Sequence, residues 1–251
     1  MNSTQRDPDS ASLSPGTMAG DPMTQFARWM SDAQALALPV PTAMVLATVS
    51  AEGRPRARTV LLKEHSQAGF TFYTNRTSRK GQDIADNPRV CAVFPWYPLQ
   101  RQVTVEGGVT AMSRDGSEPY FSSRPRGSQI GAWASRQSRV IGSRDELTGR
   151  VAELERRWPA PASIPMPDFW GGYVLAPDTV EFWQAGRYRL HDRLRYRRHD
   201  DAWVIERLSP LCAGPYARAL ASGESPGPMI PGPNTCRSIP ARRHVGQADH
   251  A

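Results

Sequence analysis

The chain has 251 residues, 39% of them hydrophobic, and a net charge of +7, enough to bury one substantial core. No apolar run approaches the ~20 residues of a membrane helix, and the polar N-terminus lacks a signal-peptide core, so a soluble, cytoplasmic protein without a membrane partner is expected. Cys91, Cys212 and Cys236 have no metal-ligand spacing, which argues against a metal centre and a disulfide framework; Cys91, in an apolar run, reads as a buried thiol.

Residues 1–20 are rich in Ser, Asp, Gly and Pro without periodicity, which predicts a disordered segment. Asp21-Pro22 then offers an N-cap and a first-turn proline, and Phe26, Trp29, Met30 and Ala33 share one helical face. From Thr42 the periodicity is that of strands. Residues 43–49 and 55–63 flank the turn Ser-Ala-Glu-Gly-Arg as a hairpin, and residues 69–74 form another strand. A short helix is predicted from about Ser78 to Asn87, stopped by Pro88, and strands resume over 89–96 and 99–112. Segment 113–139 reads as mixed, with a short helix before Arg124-Pro125. Ser143 and Glu146 form a capping box for a helix whose Leu147, Val151, Leu154 and Trp158 share a face. A proline-rich loop over 159–167 leads to strands at 170–175 and 179–184, and a last hairpin pairs 189–197 with 202–208. Consecutive strands with few helices argue for an antiparallel barrel rather than a doubly wound sheet. Residues 211–251, with six prolines, five glycines and no aromatic beyond Tyr216, read as a disordered extension.

The charge asks for an anionic partner. Apart from a cluster between Arg187 and Arg198 the arginines are scattered, whereas nucleic-acid binders gather charge in a block or stripe, so small phosphorylated ligands fit at least as well. Lys63 and Lys80 are the only lysines among 31 basic residues, and each closes a segment that suits a phosphate. Arg58 and Lys63 stand five apart, so on a regular strand they face opposite sides and serve different anions, unless the strand carries a bulge. Ser78-Arg79-Lys80 opens a helix after a strand, where free amides and the helix dipole favour phosphate. From Tyr120 to Ser138, hydroxyls, guanidinium groups and a phenol are spaced to converge on an oxyanion. On a strand, Arg189, His191 and Arg193 would share one face, with Trp183 adding a flat surface for a heterocycle.

Taken in order, Arg58-Thr-Val-Leu-Leu-Lys63, Phe72-Tyr-Thr-Asn75, Ser78-Arg-Lys80, Phe94-Pro-Trp96, Arg101-Gln-Val103, the 120–138 segment, Phe169-Trp-Gly-Gly172 and the 181–193 segment resemble one family. The chain resembles the pyridoxine/pyridoxamine 5′-phosphate oxidases, FMN enzymes of vitamin B6 metabolism, from about Asp21 to Pro210. The resemblance implies a mainly β (α+β) fold, an FMN-binding split β-barrel with flanking helices, and a homodimer with FMN bound across the interface. It implies that Arg58, Arg79, Lys80 and Ser138 hold FMN around its phosphate. Thr59, Val60, Leu61, Leu62 and Lys63 of the first motif, with Tyr73, Thr74, Gln102, Gln137, Trp183 and Arg193, would complete the cofactor site. Lys63, Tyr120, Arg124 and Ser128 would bind the substrate phosphate. Arg189, Leu190 and His191 would hold the pyridine ring, with Arg189 and His191 as the catalytic positions.

The implied reaction oxidises pyridoxamine 5′-phosphate or pyridoxine 5′-phosphate to pyridoxal 5′-phosphate with O2, releasing hydrogen peroxide, and ammonia from the amine. Two other classes stay open: a split-barrel flavin oxidoreductase acting on another small molecule, and a non-enzymatic protein that binds pyridoxal phosphate, flavin or nucleic acid. The chain departs from the family in two places. Residues 1–20 contain Arg6 but no aromatic, so the Arg and Tyr that help cover the substrate in the family are not matched. Gly116 and Pro119 are also expected to interrupt the helix before Tyr120.

Overall fold

The computed structural model describes residues 12–210, and the disorder expected of residues 1–11 and 211–251 lies outside the described residues. Helix α1 (Pro22–Ala35) begins where its cap dictates: the Asp21 carboxylate accepts from the amides of Met23 at 3.0 Å and Thr24 at 2.9 Å. Its apolar face buries Phe26 fully, edge-on to Phe70 and Phe94 with ring centroids 4.9 Å away. Burial of a ring to this extent stabilises by about 1.5–3 kcal/mol, which is what holds α1 against the sheet.

Among the described residues nine antiparallel strands form the sheet: β1 (Ala43–Val49), β2 (Pro55–Leu61), β3 (Glu64–Ser66), β4 (Gly69–Asn75), β5 (Arg89–Trp96), β6 (Arg101–Ala111), β7 (Trp170–Gln184), β8 (Asp192–His199) and β9 (Ala202–Arg207). Their order is β2-β1-β5-β6-β7-β4-β3, with β8 on β7 and β9 on β8. Alternate residues, among them Met44 and Leu46, Phe70 and Phe72, Val103 and Val105, and Val180 and Phe182, fill the core. The result is an α+β, curled half-barrel. Four more helices flank it: α2 (Arg79–Asp86), α3 (Arg114–Ser123), α4 (Arg126–Ala134) and α5 (Arg144–Arg157).

Residues 12–20 correct the expectation of disorder. Leu13 and Ala19 are buried, the Ser12 hydroxyl and Leu13 amide donate to Asp192, and the Tyr196 hydroxyl donates to the Ala19 carbonyl at 2.7 Å. Composition registers that such a stretch cannot build a core of its own, but not that it can lie on one already built. β7 is one strand of 15 residues where two were expected. Its register against β6 slips between Glu106 and Gly107, and this irregularity accommodates Pro177, which has no amide to give the ladder. Gly107 permits the close approach, since a Cβ there would lie 2.0 Å from the Ala176 carbonyl oxygen. Its length lets β7 pair with β6 from Tyr173 to Gln184, with β4 by its first half and with β8 by its second.

The mixed segment resolves into α3 and α4, the second of which was not expected. Gly116 and Pro119 do not break α3: the Ser113 side chain caps it through the Gly116 amide at 3.0 Å, and Pro119 removes only the amide that would bond back to Asp115. The box at α5 closes differently from expectation. Ser143 accepts from the Glu146 amide, but the Glu146 carboxylate reaches the Gly142 amide, one residue before the cap. Val151 and Leu154 of α5 and Trp158 at its C-cap pack on a second cluster of Phe121, Ile130, Ile164, Met166 and Trp170, which ties the helices to the start of β7. Cys91 is half-buried rather than buried, and burial raises its thiol pKa; Cys212 and Cys236 lie outside the described residues.

Candidate active site

Two adjacent cavities open where β2, the end of β4 and the helices meet. The first, of about 620 Å³, is lined by Arg56, Ala57, Arg58, Thr59, Arg79, Lys80, Gln137 and Ser138. The second, of about 420 Å³, is lined by Thr59, Val60, Leu61, Lys63, Tyr73, Thr74, Lys80, Tyr120, Arg124, Pro125, Ser128, Gln137 and Trp170. Thr59, Lys80 and Gln137 belong to both walls.

Lys80 is the hinge between them. Its position follows from the strand-turn-helix local structure: Ser78 caps α2, and Gly81 fits because a Cβ there would meet the Arg76 backbone. The buried ammonium donates to Gln137 Oε1 at 2.7 Å, Thr74 Oγ1 at 3.0 Å and Ser78 Oγ at 3.4 Å, all neutral oxygens. Burial, then the charge of Arg58, lowers its pKa to about 8. A desolvated cation facing neutral acceptors, with Arg58 and Arg79 on the same wall, is a ready anion site. The Arg79 amide donates to the Ser138 hydroxyl at 3.3 Å, which draws the residue after Gln137 onto the start of α2.

Arg58 and Lys63 line different cavities, as alternation suggests, but for another reason. β2 ends at Leu61; the Leu62 side chain is buried in the core, and the Lys63 amide is bonded to Thr71 across to β4. Lys63 is therefore placed by the exit from the strand and not by strand parity.

The second cavity has an aromatic wall. Tyr73 stacks on Tyr120 at 4.2 Å and on Trp170 at 5.3 Å. Lys63 Nζ stands 5.6 Å from the Tyr120 ring centre, and the Arg124 guanidinium 4.9 Å from that of Trp170. Arg124 Nη1 is buried without a hydrogen-bond partner among the described residues, and burial lowers the guanidinium pKa. An orphaned cationic donor beside Ser128 and Lys63 suits a phosphate monoester.

Gln102, Trp183, Arg189, Leu190, His191 and Arg193 line neither cavity. They gather instead around the end of β7: Gln102 is opposite Trp183, Trp183 is opposite Arg193, and the Trp183 and His191 rings are 4.7 Å apart. Arg193 is held by the Glu181 carboxylate through two bonds of 2.7 and 2.9 Å. The common strand face expected of Arg189, His191 and Arg193 is not formed. β8 starts at Asp192, and residues 187–189 make a single tight turn with Tyr188 and Arg189 at φ of 55° and 65°. Alternation cannot reveal a backbone in the left-handed region, where bulky residues are uncommon. His191 Nδ1 accepts from the Gly186 amide at 3.2 Å, and burial, then the Arg189 charge, lowers its pKa.

The motifs did not single out Arg56 and Trp170 as site residues. Strand alternation was a usable signal for Arg56, which shares the Arg58 face, but Trp170 is brought in by the tertiary fold alone.

The family model described as pyridoxamine 5′-phosphate oxidase matches residues 30–157, and that of the pyridoxine 5′-phosphate oxidase C-terminal dimerisation region matches residues 170–210. Over 202 residues the chain is 57% identical to a pyridoxine/pyridoxamine 5′-phosphate oxidase of Frankia alni, covering 79% of this chain and 84% of that protein. It is 53% identical over 197 residues to the protein of the same name from Acidothermus cellulolyticus, covering 77% and 88%. Among solved structures, PhzG from Burkholderia lata, in complex with tetrahydrophenazine-1-carboxylic acid, superposes with a TM-score of 0.74 at 28% identity, covering 79% of this chain and 98% of that one. A pyridoxamine 5′-phosphate oxidase-related, FMN-binding protein of Nostoc punctiforme shares the fold, with a TM-score of 0.61 at 18% identity over 77% of this chain and all of that one.

Proposed function

The chain belongs to the pyridoxamine 5′-phosphate oxidase family, and from that premise we propose that it oxidises pyridoxamine 5′-phosphate and pyridoxine 5′-phosphate to pyridoxal 5′-phosphate. FMN and O2 are the oxidants in this proposal, hydrogen peroxide is released with either substrate, and from the amine water supplies the aldehyde oxygen as ammonia leaves. The observation that carries it is the pair of cation-lined cavities sharing Lys80, one for each of two phosphorylated molecules that must lie side by side.

Arg58, Arg79, Lys80 and Ser138 fit the FMN phosphate in the first cavity, because a buried ammonium with neutral partners gains most from a dianion. When bound, FMN supplies the two-electron redox chemistry, and the protein supplies position and charge. Lys63, Tyr120, Arg124 and Ser128 take the substrate phosphate in the second cavity. Arg189, Leu190 and His191 orient the pyridine ring, and because they line neither cavity of their own chain we infer that a homodimer brings them to the cavities of the other subunit. His191, with its pKa lowered, is mainly neutral at pH 7 and bears its proton on Nε2, since Nδ1 accepts from Gly186. Arg193, fixed by Glu181, offers a rigid cation to the flavin ring.

Purified protein is expected to carry about one FMN per subunit and to release hydrogen peroxide with either phosphorylated substrate but poorly with unphosphorylated pyridoxine. A flavin-free monomer, or equal efficiency with and without the phosphate, overturns the proposal. A pH dependence follows from Lys80. Above pH 7 the FMN phosphate is already near-dianionic, its second pKa being about 6, while Lys80 loses its proton as pH passes about 8. The FMN dissociation constant is expected to be level between about pH 7 and about pH 8 and to rise above that by at most about tenfold per pH unit. Titration by flavin fluorescence checks this, and a Lys80→Met variant should lack the step.

A further inference from the structure

Among the described residues, Arg56 is the one cation on the wall of the first cavity to which the family motifs give no role. On β2 it lies two residues before Arg58, so the two guanidinium groups leave the same strand face about 6.6 Å apart at their backbones. Behind them Asp83 of α2, 2% exposed, accepts from Arg56 at 2.5 Å and from the buried Thr48 hydroxyl at 2.7 Å, and lies 3.7 Å from Arg58. Thr48 in turn accepts from Arg58 at 2.7 Å, and Arg58 also donates to the Leu46 carbonyl at 3.1 Å. A single buried carboxylate thus braces two arginines against α2, the helix that carries Arg79 and Lys80. The Arg56 side chain remains 30% exposed, and it borders the cavity.

We propose that Arg56 is a further ligand of the cofactor phosphate and that Asp83 is its positioning residue, so that the site discriminates a phosphorylated flavin from riboflavin with one more guanidinium than the motifs supply. The chemistry favours this over a purely structural strut. Four cations, Arg56, Arg58, Arg79 and Lys80, converge on one cavity, and Asp83 can neutralise only one of them. A planar fork with one edge on a carboxylate keeps other N–H groups free for phosphate oxygens. The proposal rests on the assignment of the FMN phosphate to this cavity, and its test separates the two.

Release of flavin would be followed by fluorescence after dilution of protein loaded with FMN and, separately, with riboflavin. Arg56→Gln is expected to speed FMN release by about tenfold and to leave riboflavin release unchanged. Asp83→Asn should reproduce part of that FMN-specific change, because the amide keeps the size but loses the charge that fixes Arg56. Lys80→Met serves as the reference for the cavity. If Lys80→Met speeds FMN release and Arg56→Gln does not, Arg56 is no ligand; if neither does, the cavity assignment itself fails. Equal acceleration of both flavins in Arg56→Gln, with a lowered Tm, would make the Arg56–Asp83 pair a structural strut and overturn the proposal. An unchanged Asp83→Asn beside an affected Arg56→Gln would remove the positioning role.

Discussion

Replacing Lys80 by Met is expected to raise the FMN dissociation constant by about one to two decades without lowering the thermal stability of the apoprotein. Charge-assisted hydrogen bonds are worth roughly 1.5–3 kcal/mol, and this range sets the size of the loss. The lack of a stability penalty follows from the same burial. Lys80 is 7% exposed and its ammonium meets three neutral oxygens, so the folded apoprotein bears a desolvation cost that Met does not. Met keeps most of the aliphatic stem and its packing. A falling Tm together with falling FMN affinity would mean that Lys80 holds the fold, whereas an unchanged dissociation constant would place the cofactor phosphate elsewhere.

Arg124→Ala is expected to raise the Michaelis constant for pyridoxine 5′-phosphate by about ten- to a hundredfold while FMN stays bound. A lost charge-assisted hydrogen bond, worth roughly 1.5–3 kcal/mol, sets the size of the rise, and FMN is spared because Arg124 lines the second cavity and not the first. Its buried Nη1 has no hydrogen-bond partner among the described residues, so the guanidinium does not already spend that donor internally. Steady-state kinetics with pyridoxine and its phosphate, beside the flavin content, distinguish the outcomes. Loss of efficiency by the same factor on both substrates would show that Arg124 acts through the Trp170 and Phe121 rings it covers, and not through a phosphate.

Local chemistry made much of the architecture legible in the sequence. Asp21-Pro22 determines where α1 starts, Ser78 caps α2, and alternation in the 43–49 and 89–96 strands tells which residues enter the core, because caps and strand periodicity act over a few residues. The phosphate-suited motifs were legible for the same reason: an arginine strand, a helix start and a hydroxyl-rich segment each advertise anion binding alone. The second helix of the 113–139 segment, the unbroken β7 and the turn at 187–189 were not legible. The first two depend on distant neighbours, the aromatic cluster under α4 and the Glu106–Gly107 irregularity opposite Pro177. The turn is local, but it rests on Tyr188 and Arg189 in the left-handed region and on close packing of Gly186 against the Leu190 carbonyl, which strand alternation does not encode.

The sequence by itself determined the residue types and their local scaffolds, and through its motifs the family. Only the tertiary structure decided which of them meet. It set Lys80 between two cavities, drew Trp170 from β7 and Tyr120 from α3 onto Tyr73, and kept the Trp183 group away from both cavities. It also added Arg56, through a buried carboxylate 27 residues later in the chain. The physical reason is range: hydrogen-bond caps and strand alternation are properties of neighbouring residues, whereas a desolvated cation acquires its chemistry from groups that folding brings to within a few ångströms.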